Sequence, residues 1–377
     1  MKWIRQHVLN ILLSILVILF MFLLVVMEFP LLAEWWTIHV ARTYHVMLAW
    51  FVGWIPFSLM ELVIISWVIV LAFVILKSLR FAIQKQWKRS LLSLQKALIL
   101  FLTMANLYVG TAGVAYARIP VEIPQYADRV EASDYTTIIE YYRDAFNAVS
   151  EQLSFEDGSV INPYTMDVLN EKIHQAFEEA DLSQGYFTPY STRIKPLLSS
   201  FLYREFHITG VHFAPTTEAT INTLIPDALI PFTMAHELAH AKGVMREEDA
   251  NLVALYVCLT SDDPYLQYSA YFNAFYALLN LSRYIGDDGA YQRLYQTLNL
   301  NIRADYQYQG TYWSAYDLLD DLARWVNDTY LKIFGNEGVS SYVDVPVIIT
   351  IQDGENTIDV IETFSPYQQL FFYQYFI

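Results

Sequence analysis

Uncharged runs come first along this chain, and mixed, periodic runs follow. Residues 8–27 read VLNILLSILVILFMFLLVVM, without a charge. Residues 62–76, LVIISWVIVLAFVIL, are shorter, and the apolar texture extends back from them through WFVGWIPFSLM. Residues 97–117, ALILFLTMANLYVGTAGVAYA, form the third and least hydrophobic run. A helix needs roughly 20 apolar residues to cross a bilayer, so the pattern predicts three spans. No small-residue cleavage site follows the first run, where the chain reads EFPLLAEWW, so that run is expected to stay as an anchor.

From Arg118 the pattern changes. RIPVEIPQYADRVEA is punctuated by proline and reads as an extended linker. DYTTIIEYYRDAFNAVSEQL carries apolar residues at helical spacing behind an Asp cap, and NPYTMDVLNEKIHQAFEEA opens with Asn-Pro, a helix start. STRIKPLLSSFLYREF reads as irregular or short helix. GVHFAPTTEATINTLIP, rich in β-branched and turn residues, predicts a short strand or hairpin. More helices follow, ending near Phe334, and SYVDVPVIITIQDGENTIDVIETF predicts an extended pair turning at QDGEN. The expected architecture is mainly α. Membrane helices (1–117) precede a mostly helical α+β unit (118–377) with a small edge sheet.

Composition sharpens this picture. Hydrophobic residues make up 55% of the 377 and charged residues 16%, too apolar for an ordinary soluble protein. The charge is uneven: residues 118–377 hold 14 Lys and Arg against 36 Asp and Glu, an acidic surface that argues against a nucleic-acid partner. Lys2 and Arg5 precede the first run, and Lys77, Arg80, Lys85, Lys88, Arg89 and Lys96 lie between the second and third. The segment between the first and second has only Arg42 among Lys and Arg. The positive-inside rule then puts the N-terminus in the cytoplasm and everything after Ala117 on the outer side of the cytoplasmic membrane. Trp35, Trp36, Tyr44, Trp50 and Trp54 suit an interfacial aromatic belt, so a lipid bilayer is one expected partner. The lone Cys258 excludes an internal disulfide and sits in an apolar helical run, where core packing is expected.

The candidate chemistry lies in FTMAHELAHAKGVMREEDAN. His236 and His240 are four apart, so a helix points both imidazoles at one spot, the spacing zinc takes from two neutral histidines. Glu237 beside them is the expected general base. Two histidines leave zinc short of a ligand. Gly243 allows a sharp reversal, a second helix is expected near Arg246, and Glu247 is then the expected third ligand, with Glu248 as the alternative. Asn251, four residues after Glu247, is expected to accept a hydrogen bond from a ligand histidine. An oxyanion donor is also needed; Tyr312, Tyr330, Tyr342 and Arg303 are candidates between which the sequence does not choose. His207 and His212 either line a cleft or serve in surface or core packing. His174 is expected in solvent, and Glu218 near a cleft-bordering edge strand.

These residues carry a family resemblance. HELAHAKGVMREEDAN, AYARIPVEI, GVHFAPTTEATIN and NDTYLKIFGNEGVSSY resemble a bacterial membrane family, domain of unknown function 3810. That resemblance implies a multi-span protein with a zinc-metallopeptidase-like domain. Glu-x-x-Ala-Asn at Glu247–Asn251 also resembles the Glu-x-x-Ala-Asp of zinc peptidases whose third ligand is a glutamate, which supports Glu247 over Glu248. Asn251 stands where those enzymes have Asp. The last 35 residues resemble nothing recognisable.

The expected function is a membrane-anchored zinc metallopeptidase that cleaves a protein or peptide substrate near the outer membrane surface. The alternative is a non-catalytic receptor or scaffold with a structural or vestigial zinc site. An intramembrane protease fits poorly, because LIPDALIPFTMAHELAHAKG is interrupted by Pro, Asp and Lys and is too short to span.

Overall fold

The computed structural model describes residues 2–126, 130, 132–180, 182, 185–282, 289–316, 319, 322, 324–325, 328–329, 332, 347–353 and 356–376. The protein is mostly helical, with apolar helices at the N-terminus and small sheets beyond them. His7–Met27, Leu59–Ile83 and Trp87–Ala117 are each long and apolar enough to cross a membrane. They lie in α1 (Lys2–Met27), α4 (Leu59–Ile83) and α5 (Trp87–Thr111), the last continued by a 3₁₀ turn, Gly113–Ala117. Between α1 and α4, α2 (Pro30–Trp36) runs through a π-helical turn (Thr37–Ala41) into α3 (Arg42–Val52).

Two boundaries differ from those the sequence suggests. WFVGWIPFSLM does not extend the second span: Pro56 interrupts it, and Ser58 caps α4 by accepting a hydrogen bond from the Glu61 N–H. The basic loop between the second and third spans shrinks to residues 84–86. Lys77 and Arg80 therefore lie on α4, and Lys88, Arg89 and Lys96 on α5, helix-forming residues with stems long enough to snorkel.

The rest of the chain builds one large apolar core. Buried residues of α6 (Ala132–Ser150) and α7 (Met166–Glu179) meet those of α9 (Ile230–Ala241), α10 (Glu247–Thr260) and α11 (Pro264–Leu281). A short hairpin, β1 (Phe155–Glu156) and β2 (Ser159–Val160), precedes α7, whose cap is Thr165 rather than the Asn-Pro pair. β3 (Lys195–Pro196), β4 (Gly210–Phe213) and β5 (Glu218–Ile221) form a three-stranded sheet in the order β3-β5-β4. β4 and β5 are antiparallel, as expected from GVHFAPTTEATIN, and β4 is an edge strand packed on α9. α8 (Ser200–Glu205) separates β3 from β4. α12 (Ala290–Gln296) and α13 (Leu300–Ser314) follow α11. β6 (Val347–Asp353) and β7 (Asn356–Thr363) make the expected antiparallel pair around QDGEN. The last helix, α14 (Pro366–Phe376), returns to the core, burying Phe371 and Phe372, and Tyr142 donates to the Phe371 carbonyl at 2.6 Å.

Polar contacts tie the membrane helices to the globular part. Glu218 on β5 is fully buried, pairs with Lys195 at 2.7 Å, and accepts the free N–H groups of Leu59 and Met60 at the start of α4. A carboxylate there satisfies orphan donors and complements the helix dipole. Glu61, in the same turn, accepts from the backbone N–H groups of Leu198 and Ser199. His45 on α3 bridges the Thr217 hydroxyl and the Thr111 carbonyl.

Candidate metal centre

α9 starts with Pro231 in its first turn and ends at Ala241, beyond which Gly243 adopts φ +100°. That left-handed conformation suits glycine and reverses the chain. The Gly243 N–H donates to the His240 carbonyl, and the Val244 N–H to that of Ala239. The reversal delivers the Val244 carbonyl to His240 Nδ1 at 2.6 Å. A carbonyl only accepts, so Nδ1 carries the proton and the Nε2 lone pair faces away from the turn. α10 then begins at Glu247, behind Arg246 as its cap, as the sequence predicts.

The two helices bring three side chains together. His236 and His240 have Nε2 atoms 3.0 Å apart, and Glu247 Oε2 lies 3.2 Å from the first and 3.5 Å from the second. Among the described residues this is the group of three or more metal-ligating side chains whose ligand atoms lie within 4.8 Å of one another. Tetrahedral zinc with bonds near 2 Å separates its ligand atoms by about 3.3 Å. The three separations bracket that value, and two ring nitrogens facing each other at 3.0 Å need a cation or a proton between them. The residues therefore fit a zinc ion, which His236, His240 and Glu247 would hold.

Electrostatics point the same way. Burial alone would lower the pKa of His240, but the Glu247 carboxylate outweighs it and the ring is pushed up to about 9. Burial opposes the charge on Glu247 too, yet His240 and His236 hold that carboxyl well below the usual carboxylate range. Glu237 is 5% exposed, and burial raises it to about 7 against the pull of His236 and His240. Its Oε2 is buried with no hydrogen-bond partner. Glu237 packs on Gly210 of β4, where a Cβ atom would lie 2.6 Å from Oε1. A glycine is required by that approach.

Not every expected role is filled. His236 Nδ1 is buried without a hydrogen-bond partner, and His240 Nδ1 is taken by Val244, so Asn251 accepts from neither ligand histidine in this structure. Glu248 stays outside the three-residue group. Tyr312 donates to the Leu224 carbonyl at 2.5 Å, and Arg303 Nε to that of Leu298. Tyr330 and Tyr342 lie outside the described residues. His207 bonds the Tyr316 carbonyl. Glu218 serves the α4 interface, not a cleft. His174 is only partly solvated: its Nε2 is buried without a partner, and burial drives its pKa down to about 4. His212 is closer to the site, its ring stacked 6.3 Å from that of His240. Its Nδ1 meets the Glu218 carbonyl and so holds the proton, leaving Nε2 as a buried acceptor.

Arg118 is the residue the sequence reading missed. Its guanidinium, at the end of the third span, pairs with Glu34 of α2 at 2.7 and 2.9 Å and stacks on Tyr186. The remaining Nη1 donates to the Gly243 carbonyl at 3.0 Å, in the turn between the two ligand helices. The signal available was a lone Arg closing an apolar run, which does not reveal its partners. Met245, in the same turn, packs on Ala112, Ala115 and Tyr116 at the end of that span.

A family model described as Protein of unknown function (DUF3810) matches residues 39–349, well over half of the chain. No curated protein and no solved structure matches it.

Proposed function

The chain belongs to the DUF3810 family, and we propose, from the geometry of its metal centre, that it is a membrane-anchored, zinc-dependent peptidase. The observation that carries this reading is the three-ligand cluster beside a buried carboxyl that has no hydrogen-bond partner of its own. Structural zinc sites close with four protein ligands, whereas catalytic ones keep a place for water. His236, His240 and Glu247 would hold the ion. When bound, zinc supplies a Lewis acid that acidifies water and polarises a carbonyl.

The chain's own residues do the rest. Glu237, held by burial near pKa 7, accepts the proton of the attacking water and can return it to the leaving amine. Gly210 lets β4 approach that carboxyl closely. The Asn222 N–H, just after β5, bonds the Thr209 carbonyl, just before β4, and the alternation of an antiparallel ladder then turns the backbone groups of Gly210 and His212 to the open edge. An extended peptide could pair along that edge beside the metal. The substrate expected is a peptide segment close to the membrane, because the turn between the ligand helices packs on the end of a span. With the N-terminus inside, this site faces the outer side of the cytoplasmic membrane.

A second reading, a scaffold with a structural zinc site, draws on the low exposure of the ligand side chains, 14%, 9% and 11% for His236, His240 and Glu247. Glu237→Gln separates the two. On the peptidase reading it keeps zinc and loses cleavage of unstructured peptides by about 10²–10⁴-fold. An unchanged cellular phenotype in that variant would favour the scaffold.

A further inference from the structure

A second apolar surface belongs to the globular part. Leu198, Phe201 and Leu202, on α8 and just before it, are 55%, 62% and 45% exposed. Polar residues normally occupy such positions, and a contiguous exposed apolar patch marks a contact with something apolar. The place of this patch in the fold identifies the contact.

The Leu198 and Ser199 N–H groups bond to Glu61, in the first turn of the span α4. Lys195, three residues earlier, bonds the Val52 carbonyl at the end of α3, and the Tyr190 hydroxyl lies against Gly53. The patch therefore stands where α3 gives way to α4, the stretch that also carries Trp50 and Trp54, themselves 58% and 78% exposed. The level of that junction is fixed by the spans. Trp67 of α4 donates to the Leu100 carbonyl of α5. About eight residues further along each antiparallel helix lie Leu59 and Tyr108, about 12 Å from that bond. The Tyr108 ring meets that of Phe213 on β4 at a tilt, with centroids 6.4 Å apart. Leu198 thus lies against the first turn of α4, with Phe201 and Leu202 on the helix that follows, close to where that span would leave the hydrocarbon, a depth that favours aromatic and aliphatic side chains over charges.

We propose that Leu198, Phe201 and Leu202 form, with Trp50 and Trp54, a lipid-contacting platform that seats the globular part in the bilayer interface. The occupant is lipid, continuous with the lipid around α4. The proposal stands apart from the metal chemistry and holds or fails without it.

The test uses the full chain in nanodiscs of phosphatidylethanolamine and phosphatidylglycerol. The one native cysteine, Cys258, is fully buried, so single cysteines at Leu198, Phe201 and Leu202 can carry a spin label in a Cys258→Ala background. Ile69→Cys, mid-span, is the lipid reference, and Glu171→Cys, on the exposed face of α7, is the water reference. The expected result is an oxygen-to-nickel-chelate accessibility ratio several-fold above that of Glu171→Cys, approaching that of Ile69→Cys. Labels that match Glu171→Cys overturn the proposal. So do labels shielded from both reagents in nanodiscs that hold two chains, because a second copy then covers the patch. All three positions are solvent-exposed in the fold, so a variant that fails to fold is replaced by either of the others.

Discussion

His240 shows how much one residue depends on the turn after it. Its Nδ1 proton goes to the Val244 carbonyl, so its Nε2 is presented as a ligand, and the turn that places Val244 rests on Gly243 at φ +100°. Gly243→Ala is expected to cost about 1–2 kcal/mol of stability for the left-handed backbone, read as a lower melting temperature. It would also press a Cβ to 3.3 Å from Arg118 Nη1. Gly210→Ala acts elsewhere. Its Cβ would fall 2.6 Å from Glu237 Oε1, so the carboxyl must move. The expected result is retained zinc with reduced peptide cleavage; loss of zinc with intact cleavage would contradict it. The histidine pair was legible in the sequence because helical spacing puts both imidazoles on one spot, and Glu237 because it stands beside them in the motif. The Val244 and Gly243 carbonyls that receive His240 and Arg118 were not, since every residue carries a carbonyl.

At the scale of elements, the ligand pair α9 and α10 is joined by a five-residue turn that a membrane residue holds. Arg118 donates to Gly243 and is itself fixed by Glu34, both contacts buried or nearly so. Arg118→Ala would leave the Gly243 carbonyl and the Glu34 carboxylate without that partner. The expected outcome is roughly a tenfold weaker zinc affinity by competition with a fluorescent chelator, in line with other residues that position metal ligands. Arg118→Lys should not restore it, because an ammonium cannot make the same fork. An unchanged affinity in both variants would show that the turn holds itself. The sequence revealed α9 and α10 through the histidine spacing and the Gly243 break, and the β4–β5 hairpin through its β-branched and turn residues; α9 is buried on nearly all sides and carries no stripe to read. The sequence did not anticipate α14, whose PYQQLFFYQYF presents aromatic residues all round and so has no stripe to read.

Across the whole molecule, the membrane helices and the globular part share buried polar contacts. The Lys195–Glu218 pair is nearly inaccessible, and Glu218 also caps α4. Lys195→Met would strip one partner from a buried carboxylate, at an expected cost of about 3–5 kcal/mol, read as a lower melting temperature of the detergent-solubilised chain. A shift no larger than that of an exposed substitution such as Glu171→Gln would contradict the role given to the pair. Three spans and the change of texture at Arg118 were visible in the sequence as composition. The junction between the two parts was not, because Glu61, Glu218 and Lys195 are far apart along the chain and only the tertiary fold brings them together.

Metal analysis of the purified full chain tests the central claim most directly, comparing wild type with Glu237→Gln, His240→Ala, Glu247→Gln and Glu248→Gln. About one zinc per chain is expected in the wild type, Glu237→Gln and Glu248→Gln, and little in His240→Ala and Glu247→Gln. Zinc absent from the wild type after zinc loading, or present equally in all five proteins, would contradict the three-ligand centre.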